Sequence, residues 1–154
     1  MPAVVMCVTA LAALIVSLPV PASGATGKVI AREAKKMQLN ESAQLKFTRE
    51  DGSALVEYGQ AAGTYNAPVN TILTIHPSSV TATVTIFPKG GSITGTAQAN
   101  YIVKGSTGYF GGTFTITHGT GTFRHVSGKG LGISGTINRQ TFAMTVKAHG
   151  GINL

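Results

Sequence analysis

Residues 80–87 read "VTATVTIF", and this stretch decides the fold class. Val80, Ala82, Val84 and Ile86 fall on one side of a period-two pattern; Thr81, Thr83, Thr85 and Phe87 fall on the other. Successive side chains of a strand point to opposite faces, so this is a strand with one face buried and one in water. The same alternation runs through "AQLKFT" (43–48), "TFTIT" (113–117) and "TFAMTVKAH" (141–149). In the last of these, Phe142, Met144, Val146 and Ala148 oppose Thr141, Thr145, Lys147 and His149. Turn formers separate the runs: Asp51-Gly52, "HPSS" at 76–79, "PKGG" at 88–91, "KGSTG" at 104–108, "HGTG" at 118–121 and Asn138-Arg139. About eight strands at this spacing predict an all-β antiparallel barrel or sandwich. No connector is long enough to carry a crossover helix between strands, which excludes a parallel sheet.

Glycines inside the strand-like runs favour the barrel. They stand at 95, 111, 112, 130, 132 and 135. An interior glycine weakens a strand unless it permits strong coiling or the close approach of another backbone, and small closed barrels need both. The densest case is "ITHGTGTFRHVSGKGLGISGTINR" (116–139). Its Gly-Thr-Gly lies between strands and not at a helix N-terminus, so it is a turn followed by a glycine-bent strand and not a phosphate cradle.

Upstream of the barrel the pattern changes. Residues 3–20 are almost wholly apolar and uncharged, and Ala22, Ser23, Gly24 and Ala25 follow. This is the h-region and cleavage site of a secretory leader, without a basic residue ahead of it; an uncleaved membrane anchor is the other reading of so long an apolar run. Pro19 and Pro21 favour cleavage. The expected organisation is a leader over 1–25, a lead-in over 26–42 that is a short helix or extended, and one barrel domain over 43–154. The expected location is secreted, extracellular or periplasmic, with membrane contact only through the leader. Cys7, the single cysteine, lies in the leader, so the mature chain has neither disulfides nor thiolate chemistry.

The net charge is +7, and from Tyr58 to Leu154 there is no Asp or Glu. Such a surface adheres to anionic envelope polymers, although Lys and Arg are spread singly, as on solvated strand faces. No specific nucleic-acid site is expected. Carboxylate-pair catalysis requires two acids beside a substrate. Glu57 has only Glu50 and Asp51, at a hairpin tip, for company. A Ser-His-acid triad has the same shortage. His76, His118, His125 and His149 do not supply the ligands that zinc needs, and neither metal nor cofactor is expected. Aromatic side chains remain as the means of binding: Tyr58, Tyr65, Tyr101 and Phe114 as candidate ligand contacts, beside Phe110 and Phe123, with Arg124 and Asn66 as polar partners.

At "GTGTFRHVSGKG" the chain resembles a family. Dirigent proteins and allene oxide cyclases carry a late hairpin similar to Gly-Gly-Thr-Gly-x-Phe-x4-Gly, matched here by Gly119, Thr120, Gly121, Phe123 and Gly128, with His118 in place of the leading glycine. The resemblance implies a secreted member with an eight-stranded, calycin-like barrel and a central cavity. Those families use acidic and arginine side chains, or a glutamate with a bound water, inside the cavity. This chain has no acid in the matching late strands, so no catalytic residue is carried over. The leading expectation is a secreted, non-catalytic barrel that binds a small apolar or aromatic ligand or an envelope component. The alternatives are a dirigent- or cyclase-like enzyme, with Glu57, Tyr65 and Arg124 as the residues to test, and an oligomeric surface or matrix protein.

Overall fold

The structure, a computed structural model, describes residues 35–154; the leader and the first part of the lead-in lie outside the described residues. Eight antiparallel strands form one closed barrel in chain order: β1 (Lys36–Asp51), β2 (Ala54–Gly63), β3 (Ala67–Ile75), β4 (Ser79–Ile86), β5 (Ile93–Lys104), β6 (Thr107–Gly119), β7 (Gly128–Asn138) and β8 (Met144–Asn153). Each strand pairs with the next, and β8 closes on β1 from Lys36↔Asn153 to Leu45↔Met144. Closure removes both sheet edges, so no strand is left with an unpaired ladder.

β4 carries out the alternation that decided the fold class. Val80 and Ile86 are buried, and the threonines between them face outward. The outward positions of β1 and β3–β6 are mostly Thr, Gln, Asn and Lys. A membrane-spanning barrel has the opposite polarity, with an apolar band outside. Among the described residues no helix is long and apolar enough to cross a membrane.

Two stretches depart from the sequence expectation. The barrel begins at Lys36, not at Ala43, because residues 36–42 extend β1. The inward positions there are Met37, Leu39 and Glu41; a charged residue in the inward row interrupts the period-two signal. At the other extreme, β8 starts only at Met144, and Phe142 sits in the preceding loop at φ 55°.

Short turns gather at one end of the barrel. Gly52-Ser53 joins β1 to β2, and Gly105-Ser106 joins β5 to β6, each with positive φ at the glycine alone, as a type II′ hairpin turn requires. Longer connections gather at the opposite end. There the β6–β7 segment makes a 3-10 turn over Gly121–Phe123, and Phe123 and Val126 pack with Leu39, Ile93, Phe114, Ile116, Leu131 and Ile152 into a cluster that seals this end. The Gly-Thr-Gly stretch thus marks a plug and not a simple hairpin.

Several in-strand glycines have a steric reason, though Gly111 and Gly130 do not. A Cβ on Gly95 would lie 2.4 Å from the Phe114 ring, one on Gly108 would lie 2.3 Å from the Tyr101 ring, and one on Gly135 would lie 2.4 Å from the Phe110 ring. Three inward aromatics therefore lie close against glycine backbone of a neighbouring strand. The same contacts cover exposed backbone and let the ladder coil tightly.

Candidate functional site

All eight strands contribute to an internal cavity of about 80 Å³. It stays open because six of its wall residues are alanine: Ala43, Ala61, Ala82, Ala97, Ala99 and Ala148. Larger side chains at those inward positions would close the lumen, as in small barrels whose interiors are filled. Leu, Val and Ile side chains make up most of the remaining wall, beside Phe110, Phe114 and Met144, and Glu41 and Thr71 are its polar members.

Glu41 is buried in β1, where it pairs with Gly63 of β2 and Ala148 of β8. One carboxylate oxygen, Oε1, accepts the backbone N–H of Tyr65, which ties the β2–β3 turn to the barrel wall. The other, Oε2, is buried without a partner. Burial pushes the Glu41 carboxyl up, and the Tyr65 N–H partly offsets the rise. Thr71 Oγ1 is likewise buried and unpartnered. Sequence reasoning passed over both residues: Glu41 stood in the lead-in, and Thr71 looked like one more strand threonine.

Glu57 is the most enclosed acid, with 0% of its surface exposed. It faces inward on β2, with Phe47 of β1 and Thr71 of β3 as its register partners. Neither carboxylate oxygen has a hydrogen-bond partner among the described residues. Burial pushes its carboxyl up to about 8, so the group is largely protonated at neutral pH.

The three residues singled out for catalysis do not form one site. Glu57 lies three residues into β2 from the short-turn end, whereas Tyr65 and Arg124 lie at the plugged end. Glu57 and the Gly63 that opposes Glu41 are six residues apart on one strand, on the order of 20 Å at the rise of a β-strand. Two carboxylates set that far apart cannot flank one bond. The Tyr65 ring meets Phe123 edge-on at 5.5 Å, and its hydroxyl points to Met37 Sδ at 3.7 Å. Burial, and then the Glu41 charge, push the Tyr65 hydroxyl up. Arg124 is exposed, and its Nε donates to His125 Nε2 at 2.9 Å.

The candidate ligand aromatics also divide. Phe114 lines the lumen. Tyr101 is inward and 8% exposed, but it forms part of the short-turn mouth and not of the lumen wall. Tyr65 belongs to the plug. Tyr58 points outward and is 50% exposed, because it neighbours inward Glu57 and so takes the opposite face. Asn66 is exposed in the β2–β3 turn. Among the described residues no three His, Cys, Asp or Glu side chains cluster to hold a metal ion.

A second, wider concavity opens at the short-turn end. It measures about 580 Å³ and is walled by Leu55, Ile75, Tyr101, Ile137 and Phe142, with Ser53, His76 and Arg139 among its polar residues. Set against known proteins, the chain matches no family model, no curated protein and no solved structure.

Proposed function

We propose that the barrel is a non-catalytic binding module whose lumen holds a small, mostly apolar molecule bearing one hydrogen-bonding group. One observation carries this reading: an alanine-walled cavity whose polar wall residues are Glu41 and Thr71, each with a buried side-chain oxygen that lacks a partner among the described residues. Protein interiors are close-packed, and buried polar atoms are nearly always paired. An interior that is both open and unpaired is one arranged around something else. Its volume of about 80 Å³ is roughly half that of an apolar cavity known to take benzene, so the ligand has few heavy atoms unless Met144 swings aside. The apolar run at residues 3–20 supports export, and the acid-free stretch after Glu57 supports a setting among anionic envelope polymers.

The test is thermal unfolding of the barrel with xenon, benzene and phenol, beside an Ala97→Leu variant that fills the lumen. Binding raises the midpoint of the native protein, most for phenol, and leaves the filled variant unmoved. If none of the three probes shifts the midpoint, or the filled variant responds equally, the lumen is not the site.

An enzymatic reading has one observation in its favour, the buried Glu57 carboxyl, held near the pH at which a general acid or base works best. It would act without Tyr65 and Arg124, which stand at the far end. Loss of turnover in Glu57→Gln, with ligand affinity unchanged, would establish that reading; unchanged turnover would end it.

A further inference from the structure

The wide mouth at the short-turn end shares no wall residue with the lumen, so it is a separate concavity. Its volume of about 580 Å³ lies within the range of small-molecule sites. The walls are apolar and aromatic, from Leu55, Ile75, Pro77, Tyr101, Ile137 and Phe142. The ionisable groups among those walls, apart from the Tyr101 phenol, are His76 and Arg139. Glu50 and Asp51 stand nearby on the β1–β2 tip but are exposed and outside the wall, as is Lys104 at the end of β5.

The loop that presents Arg139 and Phe142 is fixed before any ligand arrives. Asn138 Oδ1 accepts the N–H of Gln140 at 2.9 Å and of Thr141 at 3.0 Å. The Arg139 N–H donates to the Ser106 carbonyl at 2.9 Å, and the Phe142 N–H donates to the Asn138 carbonyl at 2.7 Å. These bonds hold Phe142 at φ 55°, the sole non-glycine residue with positive φ among the described residues. A bulky side chain in this region is an outlier, and such conformations persist only where their surroundings impose them. Here the result is a ring set against Phe47, centroids 5.5 Å apart, at the mouth.

We propose that this mouth binds an aromatic monoanion, a carboxylate or sulfonate carried on a ring. The ring lies against Phe142 and Tyr101, and the acid group sits on the Arg139 guanidinium, whose planar fork matches such an anion. His76 is a second donor. The wall has no acid to repel the ligand. The inference stands apart from the lumen reading.

The experiment titrates the barrel with 1-anilinonaphthalene-8-sulfonate and, separately, with uncharged N-phenyl-1-naphthylamine. Saturable emission from the sulfonate, displaced by 1-naphthoate, is the expected result. Arg139→Gln weakens the sulfonate about ten-fold or more and leaves the uncharged probe unchanged, while Phe142→Leu weakens both. Ala97→Leu, which fills the lumen, does not alter sulfonate binding; parallel loss there would return the probe to the lumen and overturn the mouth site. Equal affinity for the two probes, or an unaltered Arg139→Gln, would also overturn it. As a check that needs no variant, amide shifts induced by 1-naphthoate are expected at residues 137–142, and shifts confined elsewhere refute the proposal.

Discussion

Replacing Glu57 by glutamine should stabilise the protein in a pH-dependent way. In the unfolded chain this carboxyl titrates near its ordinary 4.5, whereas inside the barrel burial raises it to about 8. Below about 4.5 both states hold the proton, and Glu57 imposes no ionisation penalty. Between the two values the folded state alone keeps it, so stability falls as pH rises, by about 1.36 kcal/mol per pH unit. Over a displacement of about 3.5 units the loss reaches about 5 kcal/mol, and it levels off above pH 8. That is a large share of the roughly 5–15 kcal/mol that holds an ordinary domain together. Glutamine has the same shape and no proton to lose. Urea unfolding of the native protein and of Glu57→Gln from pH 4 to pH 9 gives the difference directly, and subtraction cancels Glu41 and the histidines. The difference should be small at pH 4 and grow to several kcal/mol in favour of the variant by pH 8. A difference that stays constant across this range would refute the claim that the carboxyl is buried without a partner.

Gly135→Ala places a Cβ 2.2 Å from the Thr145 carbonyl and 2.4 Å from the Phe110 ring; overpacking of this kind costs about 1–3 kcal/mol or more, read as a lower denaturation midpoint. Gly52→Ala meets nothing within 4 Å and bears only the cost of φ +62°, about 1–2 kcal/mol, so it should be the milder of the two. Glu41→Ala leaves the Tyr65 N–H without its acceptor, which costs about 1–3 kcal/mol for a buried donor and should speed hydrogen exchange at that amide, whereas Glu41→Gln keeps an acceptor and most of the protection.

The barrel was legible wherever side-chain polarity followed the pleat. Val80 to Ile86 kept an unbroken alternation, and the structure places those residues inward and the threonines outward. Where an inward residue was polar, the same rule misled. Glu41 interrupts the row formed by Met37, Leu39 and Ala43, so the first turns of β1 resembled a lead-in. Phe142 continued the alternation of β8 on paper, yet the Asn138 side chain draws residues 139–142 into a loop, an effect that no periodicity records. Glu57 was visible as the one acid of the expected barrel away from the hairpin tip, but its distance from Tyr65 and Arg124 was not, because spacing along the chain does not record position in a closed barrel. The lumen itself was hidden in plain alanines, which read as ordinary small core residues until register brought six of them to one void.

The polarity of the interior is unevenly placed. Glu41, Glu57 and Thr71, the buried side chains that carry the unpaired oxygens, all lie on β1–β3, while β4–β8 contribute apolar walls and contain no acid at all. A barrel that needed only to be filled would gain stability from leucine or methionine at position 57, because exchanging a buried ionisable group for an apolar one of similar volume removes its desolvation cost. Thr71 joins the two readings, since it is the register partner of Glu57 and also part of the lumen wall. A bound molecule that satisfies Thr71 Oγ1 therefore works at the layer where the carboxyl is held neutral. If binding there also engages Glu57, the ligand's stabilising effect must change as pH rises through about 8: it falls if the ligand pairs with the neutral carboxyl and grows if it donates to the carboxylate. A ligand that stabilises equally on both sides of that pH touches Thr71 alone, and the two polar groups are then neighbours in register without acting together.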